Sequence, residues 1–151
     1  MKHLSLCVAL ALGTVASVRA DEKDVRLDQV PAAVQAAMKK LAGSGAITNT
    51  SRETEKDGTV LYEVAYKIGE KKFEAEVSAS GEVVVVDEQV TLESLPPAVR
   101  AAIEKATASG KIGKVEKASK GEETFYEAEF TVGDAEHEVQ VALDGTIIAR
   151  E

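Results

Sequence analysis

The chain has 151 residues, with 26 acidic against 18 basic side chains and a formal net charge of -8 at pH 7. This acidity argues against nucleic acid as a partner, because a surface that binds nucleic acid must neutralise phosphates with Lys and Arg. The only cysteine, Cys7, lies close to the start of the chain.

Residues 1–20 have the pattern of a signal peptide. Lys2 and His3 form a short basic start, and an uncharged apolar run follows from Leu4 to Val18. That run is shorter than the ~20 residues that a membrane-spanning helix requires. We therefore expect cleavage after Ala20, export to the periplasm or the medium, and no stable membrane anchor. Without residues 1–20 the chain has no cysteine, and its net charge is about -10.

The exported part repeats itself. Residues 27–47 align without a gap on residues 92–112 and share 10 of 21 positions, and residues 62–87 align on residues 126–151. A period of about 65 residues is too long for a solenoid unit and has the size of one small domain. The sequence thus predicts two repeats, 25–88 and 90–151. Each would be marginally stable alone, so we expect them to pack together or to support each other through the linker strand.

Each repeat opens with a predicted helix. Pro31 and the pair Pro96-Pro97 mark the starts, because proline suits the first helical turn, where its missing N–H would be unpaired anyway. Apolar residues then recur at helical spacing, so that one stripe of each helix should pack on something: Val34, Met38 and Leu41, then Val99, Ile103 and Ala106.

Strands follow each helix. Apolar and polar residues alternate from Tyr62 to Ile68 and from Tyr126 to Val132, the pattern of half-buried antiparallel strands. Turn glycines such as Gly145, which follows Asp144, divide the rest into further short strands, with weaker ones at 47–55 and 112–119. The predicted fold class is α+β, with two tandem modules, each a helix packed on a four-stranded antiparallel meander sheet.

The same alternation places glutamates on the solvent face of both predicted sheets. Neighbouring like charges are unfavourable by a few tenths of a kcal/mol or more each, and a basic partner or calcium could offset that cost. The alternative is a solvated face that keeps the protein soluble. The candidate binding residues are Glu63, Glu74, Glu76, Glu127, Glu129 and Glu138.

No catalytic constellation is apparent in the exported sequence. Its one histidine, His137, aligns with Phe73 and is expected to be a packed residue on the inner face of the sheet. The spacing of His, Cys and Gly residues fits neither a zinc site nor a phosphate-binding loop, and we predict no catalytic residue, no metal site and no cofactor.

Several motifs together resemble the PepSY-like domains of secreted bacterial proteins. They are Val-Pro-Ala-Ala-Val and Leu-Pro-Pro-Ala-Val before the helices, Tyr-Glu-Val at residues 62–64, Tyr-Glu-Ala at residues 126–128, and Ser-Gly-Glu-Val and Asp-Gly-Thr-Ile at the last turns. The resemblance implies a helix on a four-stranded antiparallel sheet and a binding role. Such domains occur in propeptides that restrain secreted metalloproteases, and a similar tandem arrangement in β-lactamase inhibitory proteins presents a concave sheet surface to the enzyme. This chain differs from the inhibitory proteins in lacking their disulfides and in having a glutamate-rich outer face.

These observations lead to two functional hypotheses. The first is an exported, non-enzymatic binding module whose partner is another envelope or secreted protein, with inhibition of a protease-type hydrolase by occlusion through the sheet face or the hairpins. The alternative is an acidic structural or calcium-responsive envelope protein.

Overall fold

The computed structural model describes residues 23–55 and 57–150. The predicted signal peptide and Cys7 lie outside the described residues. None of the described helices is long and apolar enough to span a membrane. The elements in chain order are β1 (Lys23–Asp24), α1 (Ala32–Ala42), β2 (Ala46–Thr54), β3 (Val60–Ile68), β4 (Lys71–Ser78), β5 (Val83–Gln89), α2 (Pro97–Ala106), β6 (Lys111–Lys120), β7 (Glu123–Val132), β8 (Ala135–Ala142) and β9 (Ile147–Arg150), with short 3-10 helices at Leu27–Gln29 and Leu92–Ser94.

All nine strands belong to one antiparallel sheet, which corrects the predicted fold class. The order of strands in the sheet is their order in the chain, from β1 to β9, and each strand pairs with the next. The prediction of two tandem modules, each with its own four-stranded sheet, is wrong. The protein is a single sheet-dominated fold accompanied, in its described residues, by two α-helices.

Strand β5 makes the sheet continuous. It pairs with β4 on one side and with β6 on the other, where Val86 lies opposite Ser119 and Gln89 opposite Glu116. Had the sheet ended at β5, the outer N–H and C=O groups of that strand would lack partners in the protein. Pairing with β6 satisfies them, and this is the physical reason that the two halves share one sheet. The β5–β6 pairing thus joins the two halves through the strand that links them, and whether it transmits stability between them stays a prediction.

Both helices lie on the same face of this sheet. Directly opposed residues of antiparallel strands point to the same face, and one such row runs from Phe73 through Glu88 and Lys117 to Tyr126. Phe73 packs at the edge of the α1 core and Tyr126 at the edge of the α2 core. We call the opposite surface the helix-free face.

The apolar core is divided between the two helices. The first cluster joins Val34 and Met38 of α1 to Val64 of β3, among others. The second joins Val99 and Ile103 of α2 to strands β6 to β8. The buried residues of α1 and of α2 recur four residues apart, as the sequence predicts for a helix with one apolar stripe.

Candidate functional site

The helix-free face carries carboxylates in directly opposed pairs. Strand pairing places Glu63 opposite Glu76, Glu74 opposite Asp87, Glu116 opposite Glu127, and Glu129 opposite Glu138. Like charges in this position repel each other and destabilise the sheet. We call these eight residues the acidic face.

Lys114 of β6 lies at the centre of the acidic face. Its Nζ is 2.9 Å from Glu74 Oε2, 3.1 Å from Glu116 Oε2 and 3.7 Å from Glu129 Oε1. Burial alone would lower the pKa of this amine, but its hydrogen bonds and charge interactions with Glu74 and Glu116 raise the pKa above its usual range. Lys114 therefore stays charged and joins carboxylates from β4, β6 and β7.

Gln140 of β8 connects a second group of carboxylates. Its Nε2 donates hydrogen bonds to Glu127 Oε1 at 2.8 Å and to Glu138 Oε1 at 3.0 Å. An amide can donate to two carboxylates without adding charge. The contact holds these two side chains in place but does not neutralise them.

One residue of the acidic face, Glu116, is buried although no helix of the described chain covers this face. Glu116 is 7% exposed and its neighbour Ala118 is 0% exposed. Such burial is expected where a strongly twisted sheet curls toward itself and neighbouring strands cover its inner residues. Side chains of neighbouring strands therefore cover the middle of the acidic face, around Glu116 and Ala118.

Burial changes the acidity of this covered region. It raises the pKa of Asp87 to about 7, with further increases from the charges of Glu116 and Glu76. It raises the pKa of Glu127 to about 8, with a further increase from Glu138. Burial also raises the pKa of Glu116, although Lys114 opposes the effect. Asp87 Oδ1 is buried and has no hydrogen-bond partner among the described residues.

The six glutamates predicted from the sequence all lie on the helix-free face. Because the two predicted sheets are one, Glu74 from the first half and Glu129 from the second both reach Lys114. The sequence analysis missed Asp87, Lys114, Glu116 and Gln140. Asp87 shares its face with Val85 but not with Val83, because a register shift in the β4–β5 pairing places Val83 opposite the core residue Val77. The outward direction of Lys114 likewise depends on a register shift, in β6 between Ile112 and Val115, and neither shift has a clear sequence signal.

His137 packs as the sequence predicts. Its ring stacks on Phe130 with centroids 5.3 Å apart, and Phe73 stacks on Tyr66 in the first half with centroids 5.2 Å apart. In the described residues, no group of three or more His, Cys, Asp or Glu side chains is arranged to hold a metal ion.

Exposed apolar side chains gather at the turn end of the β8–β9 hairpin. Leu143 is 55% exposed, Ile148 43% and Ile147 38%. The tight turn between these strands is the one that Asp144-Gly145 predicts, and Asp144 Oδ1 accepts a hydrogen bond from the N–H of Thr146 at 2.9 Å. This hairpin, with its apolar tip at Leu143 and Ile148, is a second surface suited to protein contact.

One protein family matches this chain. The family model described as "Putative beta-lactamase-inhibitor-like, PepSY-like" matches residues 60–149. No curated protein gives a sequence match to the chain.

Solved structures of Bacteroides proteins share the fold. A protein of Bacteroides eggerthii, described as one of its "putative periplasmic proteins", is 17% identical with a TM-score of 0.66, over 81% of this chain and 88% of that chain. A DUF2874 family protein of Bacteroides uniformis is 17% identical with a TM-score of 0.65 over the same shares. A BLIP-like protein of Bacteroides fragilis is 19% identical with a TM-score of 0.61, over 81% of this chain and 85% of that chain.

Proposed function

The chain belongs to the PepSY-like family, and we propose on that premise that it is an exported, non-enzymatic module that binds another protein. Residues 1–20 act as the signal peptide, and the two repeats, 25–88 and 90–151, form the exported module. The destination is the periplasm, in keeping with the description of the Bacteroides eggerthii protein.

The acidic face is the observation that carries this proposal. Eight carboxyl groups are held in opposed pairs on a sheet surface that neither helix covers, with Lys114 at their centre. Repulsion among the ionised members of this set lowers the stability of the free protein, and the raised pKa values of Asp87 and Glu127 reflect part of that cost. A partner that presents Lys or Arg side chains would offset this repulsion on binding, and opposite potentials of this kind speed association and select the partner.

We propose occlusion as the mode of action. The partner is a secreted or envelope hydrolase of the protease type, in line with the inhibitor-like description of the family. A sheet face held against a basic surface blocks substrate access without any chemistry from this chain. The apolar tip at Leu143 and Ile148 supplies the apolar contact that an interface of charges alone would lack.

The test uses the full chain, exported and processed by its host, as bait in the host's periplasmic extract. In the test variant, Glu129→Gln and Glu138→Gln remove two charges from the acidic face. The changes relieve the repulsion between these opposed residues and remove only the longest of the three ion pairs of Lys114, at 3.7 Å, so the variant should keep a stability close to that of the parent protein. We expect its affinity for the captured hydrolase to fall about tenfold.

The control variant carries Glu93→Gln and Glu122→Gln, which remove the same charge from exposed positions outside the acidic face. It should bind the captured hydrolase within twofold of the parent, and the purified parent should inhibit that enzyme at stoichiometric concentration. Equal losses in both variants, or capture without any inhibition, would contradict occlusion by the acidic face. Capture that depends on calcium would instead favour the calcium-responsive alternative.

A further inference from the structure

A cavity of about 310 Å³ opens on the helix-free face at one end of the acidic face. Strands β2 to β6 contribute to its wall, including Thr48, Ala65 and Gln89. The charged side chains that line it are three lysines and two glutamates: Lys67, Lys72, Lys114, Glu74 and Glu116. Its volume is at the lower end of the range for ligand pockets and suits a single side chain or a small carboxylic acid.

Two of these lysines are in an unusual position. Lys67 of β3 lies directly opposite Lys72 of β4, and both are exposed. Neither forms an ion pair with any described residue, although the protein has an excess of carboxylates. Like charges in directly opposed positions repel each other, so this pair destabilises the free protein unless an anion lies between them.

Lys114 completes the cavity on its far side. Its ion pairs with Glu74 and Glu116 fix the amine at the boundary between the acidic face and the cavity. The cavity thus has Lys67 and Lys72 at one end and Lys114 with its partners Glu74 and Glu116 at the other, so an anion lies best at the lysine pair, away from the two glutamates. This arrangement favours a ligand with a carboxylate at the lysine pair and a basic group toward the acidic face.

We propose that this cavity binds a carboxylate of the partner polypeptide, held between Lys67 and Lys72, so that the partner presents an acidic group next to its basic surface. This inference rests on the proposed function, because that function is what makes the ligand a polypeptide. The second half of the chain has no equivalent site, because the positions 64 residues further on are Thr131 and Glu136, which also lie opposite each other.

The test is a titration of the full exported chain with short blocked peptides at low salt. The readout is the NMR chemical shifts of the backbone amides of the protein. The probes are acetyl-Gly-Asp-Gly-amide, whose carboxylate is a side chain, and acetyl-Gly-Gly-Gly with a free carboxyl terminus. Acetyl-Gly-Asn-Gly-amide is the neutral control. We expect saturable binding of at least one of the two carboxylate probes. The chemical-shift changes should be confined to the cavity and absent around Thr131. The probe that binds more tightly tells whether the partner supplies a side-chain or a C-terminal carboxylate.

The variant Lys67→Gln with Lys72→Gln should weaken this binding about tenfold. It removes a repulsive pair and should fold well. Lys39→Gln with Lys40→Gln, on the exposed surface of α1, changes the net charge equally and should leave binding unchanged. No saturable shift, or equal losses in both variants, would overturn the proposal. If the captured hydrolase is lost with the Glu129 and Glu138 variant but kept with the Lys67 and Lys72 variant, the proposed function holds and this inference fails.

Discussion

Asp87 and Glu127 are carboxylates whose ionisation the fold opposes. Burial is the main cause, and it raises their pKa values to about 7 and about 8, from ordinary values of 3.8 and 4.5. A raised pKa means that the folded protein binds the proton more tightly than the unfolded chain does. The free energy of unfolding should therefore fall as the pH rises from about 4 to about 8, and should level off above that.

Asp87→Asn combined with Glu127→Gln should remove most of this pH dependence. We expect the parent protein to lose on the order of 2 kcal/mol of unfolding free energy between about pH 5.5 and about pH 8.5. The double variant should lose much less and should be the more stable protein at the higher pH. Urea denaturation followed by circular dichroism measures both quantities. The control variant, Glu93→Gln with Glu122→Gln, should keep the dependence of unfolding free energy on pH that the parent shows. If Asp87→Asn with Glu127→Gln also left this dependence unchanged, other groups would be its cause.

Gly81 and Gly145 fix the contact between each helix and the sheet. They lie in the β4–β5 and β8–β9 turns with φ of 88° and 89°, a conformation that favours glycine. A Cβ added at Gly81 would lie 2.8 Å from the carbonyl oxygen of Ala33 in α1. A Cβ added at Gly145 would lie 2.8 Å from the carbonyl oxygen of Ala98 in α2. The start of each helix therefore lies directly against the backbone of the turn.

Gly81→Ala should destabilise the protein by about 3 kcal/mol, because it adds both backbone strain and a collision with α1. Gly58→Ala is the matched control, since Gly58 has the same φ of 88° but nothing within 4 Å of the added Cβ. It should cost only about 1 kcal/mol, the strain alone. Thermal or urea unfolding of the two variants gives the comparison, and equal losses would mean that the helix contact contributes nothing.

The helices and hairpins were predictable because each depends on local chemistry. Proline at the helix starts, alternation in β3 and β7, and Asp144-Gly145 in the last hairpin all act within a few residues. The β5–β6 pairing was missed because it joins Val86 to Ser119 and depends on which edges remain open once both halves have formed. The same limit applies to the site: the glutamates follow from alternation, but the position of Lys114 between Glu74 and Glu129 requires the continuous sheet.

One sheet carries two separate apolar clusters, and the strands between them decide whether the molecule unfolds as a unit. Each half is of the size at which a domain buries too little surface to be safely stable alone. The β5–β6 contact lets each half cover an open edge of the other. A sheet edge that loses its partner strand exposes unpaired backbone groups, so unfolding of one half should destabilise the other.

Val64→Ala therefore tests cooperativity across the whole sheet. Val64 is fully buried in the first cluster, and truncating it should lower the unfolding free energy by about 2 kcal/mol. In a cooperative molecule, native-state hydrogen exchange of the slowest amides in β7 and β8 should accelerate roughly thirtyfold, the factor that corresponds to this loss.

Val139→Ala makes the reciprocal change, because Val139 is buried in the second cluster. It should accelerate exchange in β3 and β4 by a similar factor. If each substitution affected only its own half, the β5–β6 contact would be too weak to transmit stability, and the halves would behave as two domains that merely share a sheet. Coupling in both directions would instead mean that a partner bound on the acidic face, which spans β3 to β8, stabilises every strand that it touches and both helices behind them.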